Sequence, residues 1–197
     1  AHVLAELLNE AGCPAGVFNL VCGAGSIIGP ALLGSDQVRA ISFTGSVPVG
    51  QALARDAVAG MKKFQLELGG KNPMVVMNDA DLDTAVRACL EGTFFSTGQR
   101  CTGSSRLIVQ SGIYDHFVER LTKAMVDLRV GDALDPQTEM GPVASEKQLL
   151  SNLAYVDIAR AEGLEVIGGD RLDGATQGYF QRPGLFLGGD NDTRVAR

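Results

Sequence analysis

The order of the first elements limits the fold: apolar runs of strand length alternate with helix-length segments, and glycines sit at the changeovers. Val3, Leu4, Leu7 and Leu8 recur at helical spacing over residues 3–10, and Gly12 and Pro14 end that helix. Residues 17–22 read as a buried strand, Gly23-Ala24-Gly25 as the turn into a short helix reaching Leu33, and residues 40–43 as a second strand. Thr44-Gly45-Ser46 leads into a helix through Val58, and residues 64–68 form a third strand. Strands separated by whole helices pair in parallel through right-handed crossovers. The expected fold class is α/β, with open, mostly parallel sheets and flanking helices.

The order changes at Gly69-Gly70, the one plausible boundary, which divides the chain into residues 1–69 and 70–197. The second part is expected to run strand 73–77, turn 78–81, helix 82–95, a glycine-containing link 97–101 and strand 107–110. An amphipathic helix follows over 114–128, with Phe117, Leu121, Met125 and Leu128 on one face. A loop over 130–143, a helix over 147–162, a strand at 165–167 and extended chain over 179–187 complete it.

Charge and cysteine usage exclude several classes. A net charge of -6 and a pI near 4.9, with no basic cluster, argue against nucleic acid or an anionic membrane as partner. No apolar run reaches the ~18 residues a transmembrane helix needs. The first eleven residues lack the basic start and apolar block of a signal peptide, and a helical pattern is already running at a first residue that is not Met. The chain is therefore expected to begin inside a longer protein. Cys13, Cys22, Cys89 and Cys101 form no C-x-x-C pair, and the histidines are His2 and His116, so neither a metal site nor a disulfide framework is expected. That usage suits a reduced, cytoplasmic protein. Cys13, Cys22 and Cys89 read as small buried apolar residues.

Four segments hold residues that suit chemistry, and each also fits a plainer reading. Gly23-Ala24-Gly25 with Gly29 follows a strand and opens a helix, as a dinucleotide-binding turn does, but a structural turn fits equally and no acidic residue stands at the usual ribose offset. Phe43-Thr44-Gly45-Ser46 ends a strand, and Ser46 is placed as an N-cap, alone or with a phosphate on the free N–H groups of the helix start. Glu67 lies between Leu66 and Leu68 and is followed by Gly69-Gly70-Lys71-Asn72-Pro73. It is either a carboxylate in a partly dry cleft, suited to act as a base, or a side chain facing solvent. Cys101, in Thr97-Gly98-Gln99-Arg100-Cys101-Thr102, is either a structural thiol or a loop nucleophile whose thiolate Arg100 favours.

Together and in this order, these segments resemble the aldehyde dehydrogenase superfamily over nearly the whole chain. Residues 66–73 resemble its glutamate signature and residues 94–103 its cysteine signature, with Glu67 and Cys101 34 residues apart. Phe43-Thr44-Gly45-Ser46 resembles its cofactor strand and helix start, and Gly168-Gly169 one of its later loops. The resemblance implies part of a Rossmann-like cofactor domain over 1–69 and most of a catalytic domain over 70–197. It implies oxidation of a small-molecule aldehyde to an acid with NAD or NADP, Cys101 as nucleophile, Glu67 as general base, Gly45 and Ser46 by the pyrophosphate, Gly25 near the adenine, and Leu68 beside the nicotinamide. It also implies a homo-oligomer when full length, and that the side-chain oxyanion donor and ribose contacts lie outside this chain, leaving the isolated piece inactive.

The stretch from Gln99 to Arg106 is most similar to the branch acting on oxo-acid semialdehydes, such as those of 2-oxoglutarate and succinate. Arg100 then either pairs with a substrate carboxylate or forms a structural ion pair. Two other functions stay open: a non-catalytic nucleotide-binding fragment, and a cysteine hydrolase or acyltransferase, for which neither histidine stands in a nucleophile motif.

Overall fold

Glycine, proline and capping residues set where the elements begin and end in the computed structural model, which describes residues 1–174 and 176–197. The chain divides into two compact units, Ala1–Leu68 and Gly69–Arg197.

The first unit runs α1 (His2–Glu10), α2 (Gly25–Gly34), β1 (Ala40–Gly45), α3 (Val47–Ala59) and β2 (Lys63–Leu68). β1 and β2 pair in parallel from Ala40 with Lys63 to Gly45 with Leu68, and α3 is the crossover between them. Gly50, in the first turn of α3, is buried, and a Cβ there would fall 2.6 Å from Leu68 Cδ2, so a larger residue would have to displace the Leu68 side chain.

The expected strand at 17–22 is not formed: the segment is irregular, with Val17 71 % and Val21 67 % exposed. A strand is stable only when a neighbour completes its ladder, and this segment pairs with none among the described residues. The cysteine it carries follows suit. Cys22 is exposed, its Sγ 3.7 Å from His2 Nε2, and Cys13 is half-buried; only Cys89 is the buried thiol expected of all three. The apolar positions Val3, Leu4 and Leu7 do lie on a helix, but all three are exposed.

The second unit begins with β3 (Asn72–Val76), α4 (Leu82–Phe94), a tight turn over Phe95–Gly98, and β4 (Ser104–Val109), followed by α5 (Tyr114–Asp127) and α6 (Glu146–Ala161). β3 and β4 are parallel. β5 (Glu165–Gly168) pairs antiparallel with β8 (Gly184–Leu187), and β6 (Arg171–Leu172) with β7 (Phe180–Gln181). The chain is thus α/β, its two longer strand pairs parallel and its two shorter ones antiparallel. β4 starts three residues before the expected strand, because its polar first residues, Ser104 to Arg106, are drawn into the ladder by pairing with Asn72 and Pro73. Gly168 has φ +69°, and a Cβ there would meet the Pro183 carbonyl at 2.2 Å, so the β5–β8 end requires glycine.

Helix α4 starts where Asp81 accepts the Thr84 N–H at 2.8 Å, and Ser145 caps α6 by accepting the Gln148 N–H at 3.2 Å. The Thr84 hydrogen bonds hold the Asp81 carboxyl below its ordinary range. This cap therefore contributes above the ordinary carboxylate pKa and is lost as pH falls through the lower folded value. The core lies between the β3–β4 pair, α4 and α5, where Val76, Cys89, Phe117 and Leu121 are almost fully enclosed. Phe117 is 0 % exposed. Phe117→Ala is expected to cost about 3–5 kcal/mol in urea unfolding; a cost under about 1 kcal/mol would mean that this core collapses around the cavity far better than a packed core does. No described helix is long and apolar enough to cross a membrane.

Candidate active site

The parallel ends of β1 and β2 gather four of the expected site residues in the first unit. Thr44 lies beside Glu67 and Gly45 beside Leu68, and Ser46 follows at once. Open α/β sheets bind ligands at such carboxyl ends. Ser46 is the N-cap of α3 as expected, yet its side chain makes no cap hydrogen bond. Pro48 in the first turn offers no N–H, and the first helical bond runs from the Gly50 N–H to the Ser46 carbonyl at 2.9 Å. The N–H groups of Val47 and Val49 therefore have no helical acceptor. The first turn also holds no acidic residue. The start of α3 thus leaves main-chain N–H groups at the positive end of a helix, where an anion can bind.

Gly45 lies close under the Phe43 ring, where a Cβ would come within 2.5 Å of it. Gly25 heads α2 with nothing within 4 Å of where a Cβ would be, so packing does not explain that glycine. Glu67 is exposed, and its Oε1 accepts from Gln65 Nε2 at 3.1 Å. The side-chain half of its environment is thus a polar neighbour on the same strand face rather than an apolar pocket within the first unit.

Cys101 belongs to the second unit, exposed in the turn between the Phe95–Gly98 segment and β4. That approach is strained. Ser96, Thr97 and Gly98 have φ of 53°, 57° and 67°, three successive left-handed residues of which only the last is glycine. Each non-glycine residue there costs roughly 1–2 kcal/mol. The contacts that hold them are the Thr97 hydroxyl on the Gly141 carbonyl at 3.1 Å and the Ala144 N–H on Gln99 Oε1 at 3.2 Å. Beyond them the Gly103 N–H closes a turn on the Arg100 carbonyl at 3.1 Å. Trans peptides point C=O and N–H in opposite directions, so the Cys101 N–H is turned out of that turn.

Arg100 makes no ion pair among the described residues. Its guanidinium donates to the Glu91 carbonyl at 2.9 Å and the Gly92 carbonyl at 3.4 Å, near the C-terminal end of α4, and stacks 5.1 Å from the Phe95 ring centroid. Cations are favourable at that end of a helix. One nitrogen makes both bonds, leaving Nε and the other terminal nitrogen as donors.

One contributor lies within the 66–73 segment, yet nothing local marks what its side chain bonds to. Asn72, at the start of β3, donates from Nδ2 to the Cys101 carbonyl at 2.6 Å. Its neighbour Lys71 is half-buried, and burial first, then the like charge of Arg106, pushes its pKa below the ordinary lysine value. The Lys71 ammonium reaches the Val195 carbonyl at 3.0 Å and lies 5.5 Å from the Tyr155 ring centroid. Elsewhere in the unit, burial raises the Cys89 pKa, partly offset by its contact with Thr93, so that thiol stays protonated. No group of three or more potential metal ligands occurs among the described residues.

Known proteins resemble this chain along nearly its whole length. The model of the aldehyde dehydrogenase family matches residues 1–197. The alpha-ketoglutaric semialdehyde dehydrogenase of Bacillus subtilis is 45 % identical over 96 % of this chain and 39 % of its own length. A betaine aldehyde dehydrogenase of Mesorhizobium japonicum is 42 % identical over 100 % of this chain and 41 % of its own. Among solved structures, betaine aldehyde dehydrogenase from Staphylococcus aureus in complex with NAD+ superposes with a TM-score of 0.95 at 36 % identity, covering 99 % of this chain and 39 % of that one. An Escherichia coli protein described as an NADP dependent enzyme reaches 0.91 at 39 % identity, covering 98 % of this chain and 40 % of that one. The chain spans about 40 % of the length of these relatives. With its entire length matched and both the Glu67 and Cys101 segments in place, this chain belongs to the aldehyde dehydrogenase family.

Proposed function

We propose that this chain carries the nucleophile and the general base of an NAD(P)-dependent aldehyde dehydrogenase. The observation that carries the reading is the Cys101 turn: an exposed thiol on a tethered main chain, with its own N–H turned outward. Cys101 Sγ attacks the aldehyde carbon, and the Cys101 N–H donates to the alkoxide that forms. A bound nicotinamide would supply the hydride acceptor for that carbon, and Cys101 would then carry the oxidised carbon as a thioester. Glu67 takes a proton from water as the water adds to the thioester carbonyl, and Sγ departs to release the acid. Splitting oxidation from hydrolysis lets each half use a separate residue of this chain.

Ser46 and Gly45 are assigned to the pyrophosphate, with Gly25 toward the adenine and Leu68 toward the nicotinamide. The Ser46 hydroxyl, free of any cap bond, and the free N–H groups of α3 support the first of these. The cofactor is NAD or NADP, consistent with the NAD+ complex and the NADP dependent enzyme among the structural relatives. A cytoplasmic, homo-oligomeric complete protein and a small-molecule aldehyde, rather than nucleic acid or membrane, belong to the same reading.

For substrate class we favour an oxo-acid semialdehyde. The Bacillus subtilis relative's name supports it, as do the Arg100 donors left unused by α4, which suit a carboxylate. Betaine aldehyde is the second reading, favoured by the names of other relatives. A cationic aldehyde gains nothing from Arg100, so kcat/KM for the two substrates, compared in the intact protein and in Arg100→Ala, separates them. A loss confined to the semialdehyde supports the first.

Limited iodoacetamide labelling tests the nucleophile itself. Cys101 is expected to be modified before Cys13, Cys22 and Cys89, and its modification is expected to remove the rapid burst of NAD(P)H on adding aldehyde. First labelling at exposed Cys22 with the burst intact would refute the assignment. Cleavage of an activated ester without any burst would favour a hydrolase.

A further inference from the structure

The half-buried side chain of Asn72 spans from the first residue of β3 to the turn that carries Cys101. Its Nδ2 donates to the Cys101 carbonyl at 2.6 Å and to the Gly103 carbonyl at 3.3 Å, one proton to each. The turn's own bond, from the Gly103 N–H to the Arg100 carbonyl at 3.1 Å, fixes the Arg100–Cys101 peptide plane. Asn72 fixes the next plane, Cys101–Thr102. Those two planes meet at the Cys101 Cα and define its φ and ψ, and so the direction of its Cβ relative to its N–H.

Asn72 is itself tied in place. Pro73 restricts its backbone to extended conformations. Arg106 Nε donates to the Lys71 carbonyl at 2.9 Å, and the Lys71 ammonium is held by the Val195 carbonyl. The β3–β4 register shifts between Asn72 and Pro73, which sets Asn72 opposite Ser104 instead of one residue farther on.

We propose that Asn72 is a positioning residue for Cys101. Its carboxamide holds the main chain on the C-terminal side of the nucleophile, so that the thiol and the oxyanion-binding N–H keep one fixed relation. This rests on the reading of Cys101 as the nucleophile. Asn72 does not touch the reacting atoms; it acts through the two carbonyls.

The test uses the intact protein with Asn72→Ala and Asn72→Asp. Asn72→Ala removes the donor. Asn72→Asp keeps the shape but sets carboxylate oxygens against two carbonyl oxygens. Both are expected to slow the NAD(P)H burst about ten- to a hundredfold, while NAD(P)H affinity by fluorescence titration stays at the parent value.

Expressed as a ratio to the parent at each pH, Asn72→Asp is expected to recover rate as pH falls and the introduced carboxyl is protonated, because a protonated carboxyl again donates one hydrogen bond. Asn72→Ala is expected to stay flat. A burst at the parent rate in both variants overturns the proposal, and so does a loss in Asn72→Asp that follows Asn72→Ala at every pH. If iodoacetamide does not select Cys101 in the parent, the underlying reading fails first, and that result is in hand before either variant is made.

Discussion

Cys101→Ser is expected to lower NAD(P)H formation from aldehyde by about four orders of magnitude or more, with cofactor binding unchanged. The reason is chemical before it is structural. A cysteine supplies some thiolate near neutral pH, whereas a serine hydroxyl at the same place needs a strong base to become a nucleophile. The loop should survive the change. Its contacts are the Asn72 amide on the Cys101 carbonyl, the Thr97 hydroxyl on Gly141 and the Gly103 N–H on Arg100, and none involves Sγ. The phosphate site proposed at Gly45 and Ser46 belongs to the first unit, away from the substituted residue in sequence. Stopped-flow measurement of the burst, beside fluorescence titration with NAD(P)H, gives both numbers. Activity within tenfold of the parent would mean that another group forms the covalent bond.

Glu67→Gln is expected to separate the two halves of the reaction. The burst should persist at close to the parent rate, while the steady state falls by about two to four orders of magnitude, because the base proposed at Glu67 would act on the thioester and not on the aldehyde. The variant should fold, since Glu67 is exposed and glutamine retains an oxygen to accept from Gln65. An acyl-enzyme should accumulate and be visible as an added mass on the peptide containing Cys101. If the burst disappears while Cys101 still reacts with iodoacetamide, Glu67 acts before hydride transfer and the assigned role is wrong.

How legible these features were in the sequence depended on how local their causes are. The helices are legible because apolar residues at 3.6-residue spacing and a following Gly or Pro act within a turn or two; the caps Asp81 and Ser145 are equally local, but the structure is what reveals them. The segment at 17–22 has the composition of a buried strand, yet a strand exists only through a partner far along the chain, and pattern alone cannot supply one. The polar start of β4 went unread for the converse reason: Ser104, Ser105 and Arg106 have weak strand character and join the ladder through β3. Arg100 illustrates the same limit at the site. Its charge was legible, but its use at the end of α4 and on the Phe95 ring depends on how the chain turns back.

The α/β order and the N-cap position of Ser46 follow from short-range periodicity and local residue chemistry, whereas the segments that hold Glu67 and Cys101 stand out by their resemblance to the aldehyde dehydrogenase family. Only the tertiary structure decided which main-chain groups around Cys101 are tethered and which are left to bind. The bond from Asn72 to Cys101 joins residues 29 positions apart and exists because β3 and β4 pair in parallel with a shift in register at Asn72. A ladder register of that kind is a property of two strands packed over a shared core, and no window of a few turns contains both.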